Sequence, residues 1–398
     1  MIKELPSIYP GKHIPYNSYT AFLPADLYSA AELELDGKVR EQAQKALWQL
    51  GRLAHAIEET PDPDAFVDAC KLKEAVETSR IEGTRADAQD IYVARLTGKA
   101  DCDPLDIAEI EGYARALDRA LELRKELPLG CRLLREAHAA LLDQPRGHHK
   151  APGEFRNVEV WIGGRTPESA SYNPPPPGYV PQAMDNLEKF MQDDDVAMDS
   201  IVKLALLHYH FEAIHPFRDG NGRAGRMIVA LFLQAKGWLE RPALTISFFL
   251  FGRRWEYYSH LNDARQSSQG VNDWLLYFIT GIACAAEIGV DAALAMAELK
   301  ADCVAKIKAS GGRQIEADLA FLDRLFKFPA ASIASIEKEQ GVPRHVASRM
   351  LQRMAALGIL VKYSASKKSS VHTFKDYIDV FANNRKIVPA GATVSMQS

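Results

Sequence analysis

Twelve residues, His215 to Arg226 (HPFRDGNGRAGR), bring a histidine, a carboxylate, two glycines around an asparagine and two arginines into one short stretch. Each of these types has work to do near a phosphate. Gly220 and Gly222 let the backbone approach a ligand closely, and the free N–H groups of a helix starting there form an anion site. Arg223 and Arg226 are three apart, on one face of that first helical turn, where cations oppose the helix dipole. Two such placements point to negative charge arriving from outside, as a polyphosphate. Asp219 beside that anion makes sense as a ligand of Mg²⁺ bridging phosphate oxygens. His215, with an ordinary pKa of about 6.5, can accept a proton from a hydroxyl nucleophile at neutral pH.

The same glycines admit a rival. Gly220, Gly222 and Gly225 fit the G-x-G-x-x-G spacing of a dinucleotide-binding turn, and Glu240 stands near where that fold places an acid. Such a turn follows a strand. Here Leu204, Leu207, Phe211 and Ile214 step by three, four and three, a helical stripe that Asp199 or Ser200 would cap. After the loop, Met227, Ile228, Leu231, Phe232 and Ala235 mark a second helical face stopped by Gly237, and only Trp238 and Leu239 separate that stop from Glu240. The pattern is helix, loop, helix. His208 and His210 are two apart, share no helix face and have no third ligand at zinc spacing, so they, His148 and His149 read as structural. Phe217 reads as a core anchor.

The rest of the chain must hold this loop. Residues 30–125 carry helical spacing broken by TPDPD at 60–64 and DCDP at 101–104. VEVWIGGR at 158–165 alternates into a Gly-Gly turn, a β-hairpin pattern, and PPPP at 174–177 imposes an extended loop. The apolar run from Phe278 contains Glu287 and Asp291 and reads as a core helix rather than a membrane span. With 398 residues, 47% of them hydrophobic, the chain has room for two or three domains. A net charge of −4 supplies no global field for nucleic acid or an anionic membrane, so any basic site is local. Five scattered cysteines without a C-x-x-C pair fit reduced thiols, and the N-terminus has an early acid and two prolines where a signal peptide needs an apolar core. A cytoplasmic protein without membrane association is expected.

His215 to Arg226 resembles the Fic motif, H-x-F-x-(D/E)-G-N-G-R-x-x-R, at every specified position. The resemblance implies an all-helical core that transfers AMP from ATP, the co-substrate, to a Ser, Thr or Tyr hydroxyl of a protein, itself included, with Mg²⁺ as cofactor. It assigns proton removal to His215 and Mg²⁺ to Asp219. It gives the α- and β-phosphates to the Gly220 to Gly222 backbone with Asn221, and the polyphosphate to Arg223 and Arg226, Arg226 at the γ end. The related Doc kinases carry Lys where Arg223 stands, which argues against phosphorylation. TSRIEG at 78–83 resembles the family's inhibitory motif, (S/T)-x-x-x-E-(G/N), through Thr78, Glu82 and Gly83. Thr78 and Glu82 are i, i+4 and Gly83 is a natural helix stop, so Glu82 paired with Arg226 would take the place of the γ-phosphate. In some relatives this glutamate is implied in AMP removal. The 158–165 hairpin, with Val160, Trp161 and Ile162, matches the family's flap, which holds a target segment by strand addition. Tyr257 and Tyr258 lie where relatives contact the adenine end.

The tail reads as a winged helix. Ser332 to Gln340 with Gly341 is helix and turn, Pro343 opens a second helix ending at Gly358, and ILVKY and VHTF flank the tip SASKKSS. Arg344, His345, Ser348, Arg349 and Arg353 would line the recognition helix, with Lys367 and Lys368 in the wing, for contact with DNA phosphates, another protein or a second copy of the chain. The expected fold is therefore mainly α. An N-terminal helical region with the inhibitory motif takes 1–104, a Fic core with a β-hairpin flap 105–300, and a winged helix 315–398. The expected function is a Mg²⁺-dependent protein adenylyltransferase restrained by Glu82. Its rivals are a DNA-binding regulator using the site as a nucleotide sensor and an enzyme of the same fold that removes AMP.

Overall fold

The computed structural model describes residues 10–382 apart from 100, 197 and 364–370. Strands β1 (Gly11–Tyr16) and β2 (Tyr19–Pro24) form an antiparallel hairpin, with Asn17 at φ 49° in its two-residue turn. No motif marks this stretch in the sequence, because a two-stranded ribbon is stabilised by what it packs on. Phe22 is buried near Tyr172, and its N–H donates to the Asn173 carbonyl at 2.9 Å.

Four helices follow, each begun by an aspartate whose side chain accepts a backbone N–H: α1 (Gly37–Glu58) after Asp36, α2 (Pro63–Ile81) after Asp62, α3 (Ala88–Thr97) after Asp87 and α4 (Pro104–Leu123) after Asp103. TPDPD and DCDP thus start helices as well as interrupt them, with proline in the first turn where its missing N–H does no harm. Helix α2 has buried side chains all round, including Lys73, Glu74, Glu77, Thr78 and Ser79, so it runs through the protein rather than over it.

Helices α7 (Ser200–Ile214) and α8 (Asn221–Ala235) are joined by the motif loop, α5 (Cys131–Leu141) packs beside it through His138, and α6 (Val180–Gln192) packs on α7. Asp199 caps α7, and every residue from Ile201 to Ile214 is buried. Helices α9 (Ile246–Gly252) and α10 (Arg254–Asp263) lead into α11 (Ser268–Ser310). By length and composition α11 is able to cross a membrane, yet 67% of its apolar window is buried within the protein, where it packs along α1. The fold is mainly α.

The C-terminal part runs α12 (Ile315–Lys327), β3 (Ala330–Ala331), α13 (Ile333–Gln340), α14 (Arg344–Ala356), β4 (Val361–Lys362), β5 (His372–Thr373) and α15 (Lys375–Ala382). Its three strands are antiparallel in the order β3-β5-β4. Arg344, His345 and Arg349 are exposed on α14 and Ser348 is half-buried. Arg353 departs from the expected basic face: its Nε donates to Oδ2 of the buried Asp318 at 2.8 Å, a bond between α14 and α12 that uses up its charge. Lys367 and Lys368 lie outside the described residues. Tyr92 of α3 meets Phe328 edge-on, Phe66 of α2 packs on Phe381, and one cluster of buried apolar residues extends from Phe22 to Phe381. The expected division after residue 104 falls at the start of α4 and separates no cores.

Candidate active site

The loop between α7 and α8 owes its shape to two left-handed residues, His215 at φ 51° and Gly220 at φ 74°. The second needs glycine; the first is uncommon for any other residue and marks a backbone held by its surroundings. The Asn221 side chain closes the loop from inside, accepting from the Phe217 N–H at 2.8 Å and donating to the Phe217 carbonyl at 2.9 Å. Asn221 therefore shapes the loop expected to cradle phosphate. Phe217 is buried, as a core anchor should be, and stacks on His138 of α5 at 3.6 Å. The Gly153 N–H donates to His138 Nδ1, which leaves Nε2–H to donate to the Asp219 carbonyl at 2.9 Å. Burial pushes His138 down to about 4, so the ring is neutral and this tautomer is kept. Nothing in the sequence distinguishes His138 from a surface histidine.

Arg226 is 2% exposed and held through Nε and Nη2. Its Nε donates to Thr78 Oγ1 at 2.7 Å, and its Nη2 donates to the Thr78 carbonyl at 3.2 Å and to Glu82 Oε1 at 2.6 Å. Glu82 follows the last residue of α2 and Gly83, at φ 109°, turns the chain away. Burial opposes ionisation of Glu82, but Arg226, then Arg223 and His215, hold its carboxyl below the ordinary value. The carboxylate also lies against the cradle: a Cβ at Gly222 would stand 2.6 Å from Glu82 Oε1. Arg223 differs. It is 5% exposed, its Nε and Nη1 have no hydrogen-bond partner among the described residues, and its nearest carboxylates are Asp219 at 3.8 Å and Glu109 of α4 at 3.9 Å.

His215 is pushed down to about 4, first by burial and then by Arg156 and Arg265, against the opposite pull of the Glu212 backbone and Glu82. An imidazole so placed is unprotonated at neutral pH and open to a proton. Glu212, three residues back, is raised to about 7 by burial despite Arg226. Asp219 keeps a partly exposed carboxylate whose Oδ1 accepts the Gly220 N–H at 2.6 Å, with Lys150 Nζ 3.8 Å away.

The Fic/DOC family profile matches residues 128–233, and the Fic/DOC N-terminal profile matches residues 40–122. The chain belongs to the Fic/DOC family. Among relatives, the probable protein adenylyltransferase of Aquifex aeolicus is 32% identical over 117 residues, 29% of this chain and 32% of that protein. Protein adenylyltransferase fic-1 of Caenorhabditis briggsae is 30% identical over 120 residues, 27% of this chain and 22% of that protein. The chain thus spans a third or less of these relatives. The crystal structure of a Fic family protein from Desulfovibrio desulfuricans shares the fold, with a TM-score of 0.55 and 21% identity over 86% of this chain and 97% of that one.

Within the Fic site, two expectations need correction. The flap is not a hairpin over 158–165: only the bridge between Ile162 and Tyr172 forms, with Gly163 and Gly164 at positive φ starting a loop that delays the return strand by several residues. Val160 and Ile162 are half-buried and Trp161 is 40% exposed. Tyr257 is buried and its hydroxyl donates to His208 Nε2 at 3.0 Å, while His208 Nδ1 donates to the Gly225 carbonyl. Tyr257 and His208 therefore pin α8 in the core, and of the two tyrosines only Tyr258 keeps partial exposure. Asp219 suits Mg²⁺ held jointly with phosphate oxygens, since one carboxylate and substrate oxygens are the usual donors for that ion. No cluster of three or more His, Cys, Asp or Glu side chains able to hold a metal on their own occurs among the described residues.

Proposed function

We propose that this protein transfers AMP from ATP to a Ser, Thr or Tyr hydroxyl of a protein, and that Glu82 restrains it. The observation that carries the proposal is the pairing of a neutral His215 with a loop that has one buried arginine with unmade hydrogen bonds and the other held by Glu82. In the reaction the hydroxyl oxygen attacks the α-phosphorus, the bond from that phosphorus to the bridging oxygen breaks, and pyrophosphate leaves. The hydroxyl proton passes to the His215 imidazole. The Gly220 to Gly222 backbone and Arg223 hold phosphate oxygens, and Arg226 receives the γ-phosphate once Glu82 is displaced. Asp219 would hold Mg²⁺, which when bound offsets polyphosphate charge. The edge of residues 159–161, whose backbone has no hydrogen-bond partner among the described residues, is offered to a target segment as an added strand.

The test is incubation of purified Glu82→Gly protein with Mg²⁺ and ATP, followed by intact-mass measurement of the protein itself and of added cell proteins. A gain of one AMP that is absent from the His215→Ala protein is expected. No gain with ATP or any other nucleoside triphosphate would overturn the reading and favour AMP removal or a nucleotide-sensing regulator.

A further inference from the structure

Arg156 precedes the flap in the stretch PGEFR and is 3% exposed. Every hydrogen bond its guanidinium makes among the described residues goes to a backbone carbonyl. Nε donates to His215 at 2.8 Å, Nη1 to Val158 at 3.2 Å, and Nη2 to Pro175 at 2.6 Å and Ile214 at 3.2 Å. Its own N–H donates to the Pro216 carbonyl at 2.8 Å. A buried cation balanced by carbonyls alone is an expensive way to fill space, so its geometry calls for a reason. Three of the five carbonyls belong to the consecutive residues 214–216, where α7 ends and its last carbonyls lack helical partners. The other two belong to the flap base and to the proline-rich loop.

We infer that Arg156 is a positioning residue for His215: its fork of hydrogen bonds holds the left-handed backbone that aims the imidazole. The inference rests on His215 being the base. The charged groups around the ring come from four elements. Arg156, ahead of the flap, and Arg265, between α10 and α11, disfavour its protonation; Glu82 after α2 favours it, as does the backbone of Glu212 on α7, whose carboxyl group lies 3.9 Å from Nδ1. Removing Arg156 therefore lets His215 protonate more easily while also loosening its backbone.

The test uses the full chain in the Glu82→Gly background with Arg156→Met and Arg156→Lys, following AMP transfer against pH and the His215 ring by NMR titration. Arg156→Met is expected to lower kcat on the order of a hundredfold, as displaced reacting groups do, with KM for ATP little changed. Its His215 should titrate at higher pH than in the parent. Lysine keeps the charge without the fork, so Arg156→Lys restores the titration but only part of kcat. A folded Arg156→Met protein with parental kcat and parental titration overturns the inference. If that variant does not fold, Arg156→Lys decides: lowered kcat with unchanged titration supports the role, and parental kcat overturns it. If the Glu82→Gly parent transfers nothing, the proposed function fails, and the ring titration alone decides whether Arg156 acts on His215.

Discussion

Arg223 and Arg226 stand one turn apart on α8, both buried, in opposite states. Arg226 has two protein partners, Thr78 and Glu82, at hydrogen-bond distance, whereas Arg223 faces two carboxylates that are both nearly 4 Å away. A buried guanidinium with unmade bonds is unfavourable, so Arg223 carries a built-in demand for an anion. The difference teaches where restraint acts. Glu82 pairs with Arg226 and leaves Arg223 with unmade bonds, so under the proposed function displacing one side chain would complete the site.

The largest effect should come from the group both arginines serve. His215→Ala is expected to lower AMP transfer by roughly 10²- to 10⁴-fold while ATP binding persists, measured by calorimetry alongside intact mass. Next, the two arginines should separate in stability. Arg226→Ala strips partners from Thr78 and Glu82 and leaves a void, and is expected to cost about 2 to 4 kcal/mol. Arg223→Ala removes a group with unmade bonds and should cost under about 1 kcal/mol. Urea unfolding at equal m-values reads both, and equal losses would break the comparison.

Glu212 sharpens it through pH. Its folded pKa, about 7, is raised above the ordinary 4.5, so its contribution to stability is complete below about pH 4.5 and is lost as pH rises toward 7. Glu212→Gln should flatten that limb by on the order of 1 to 3 kcal/mol. Glu74, also raised to about 7 by burial, leaves a remnant of the same sign. A limb of unchanged slope would show that Glu212 is ionised in the fold. The smallest effect is on regulation: Glu82→Gly should raise transfer roughly tenfold, a coupling of about 1.4 kcal/mol, and Thr78→Val by less. An unchanged rate in Glu82→Gly would remove the restraint from Glu82.

Much of this site was legible because its parts are local in sequence. The stripe from Leu204 to Ile214 announced α7, the glycines announced the cradle, and the i, i+4 spacing of Thr78 and Glu82 brought both to one arginine. The misreadings have a common cause. Tyr257 and Arg353 are types that bind ligands when free, and each is claimed by a neighbour distant in sequence. The flap pattern was right in alternation and wrong in register, because pairing was set by Tyr172 beyond the Gly-Gly turn rather than by the turn itself.

By itself, the sequence determined the chemical inventory of the loop and the helices that flank it, since periodicity and short motifs encode contacts within a turn or two; that Glu82 would meet Arg226, 144 residues away, came only from the resemblance to the family's motif. Only the tertiary structure decided which polar groups are already satisfied. Arg156 reaching five backbone groups, His138 bonded to the Asp219 carbonyl and Arg223 left without a close partner all depend on segments tens of residues apart meeting at hydrogen-bond distance. Hydrogen bonding falls off within a fraction of an ångström, so packing, and no spacing rule, settles it.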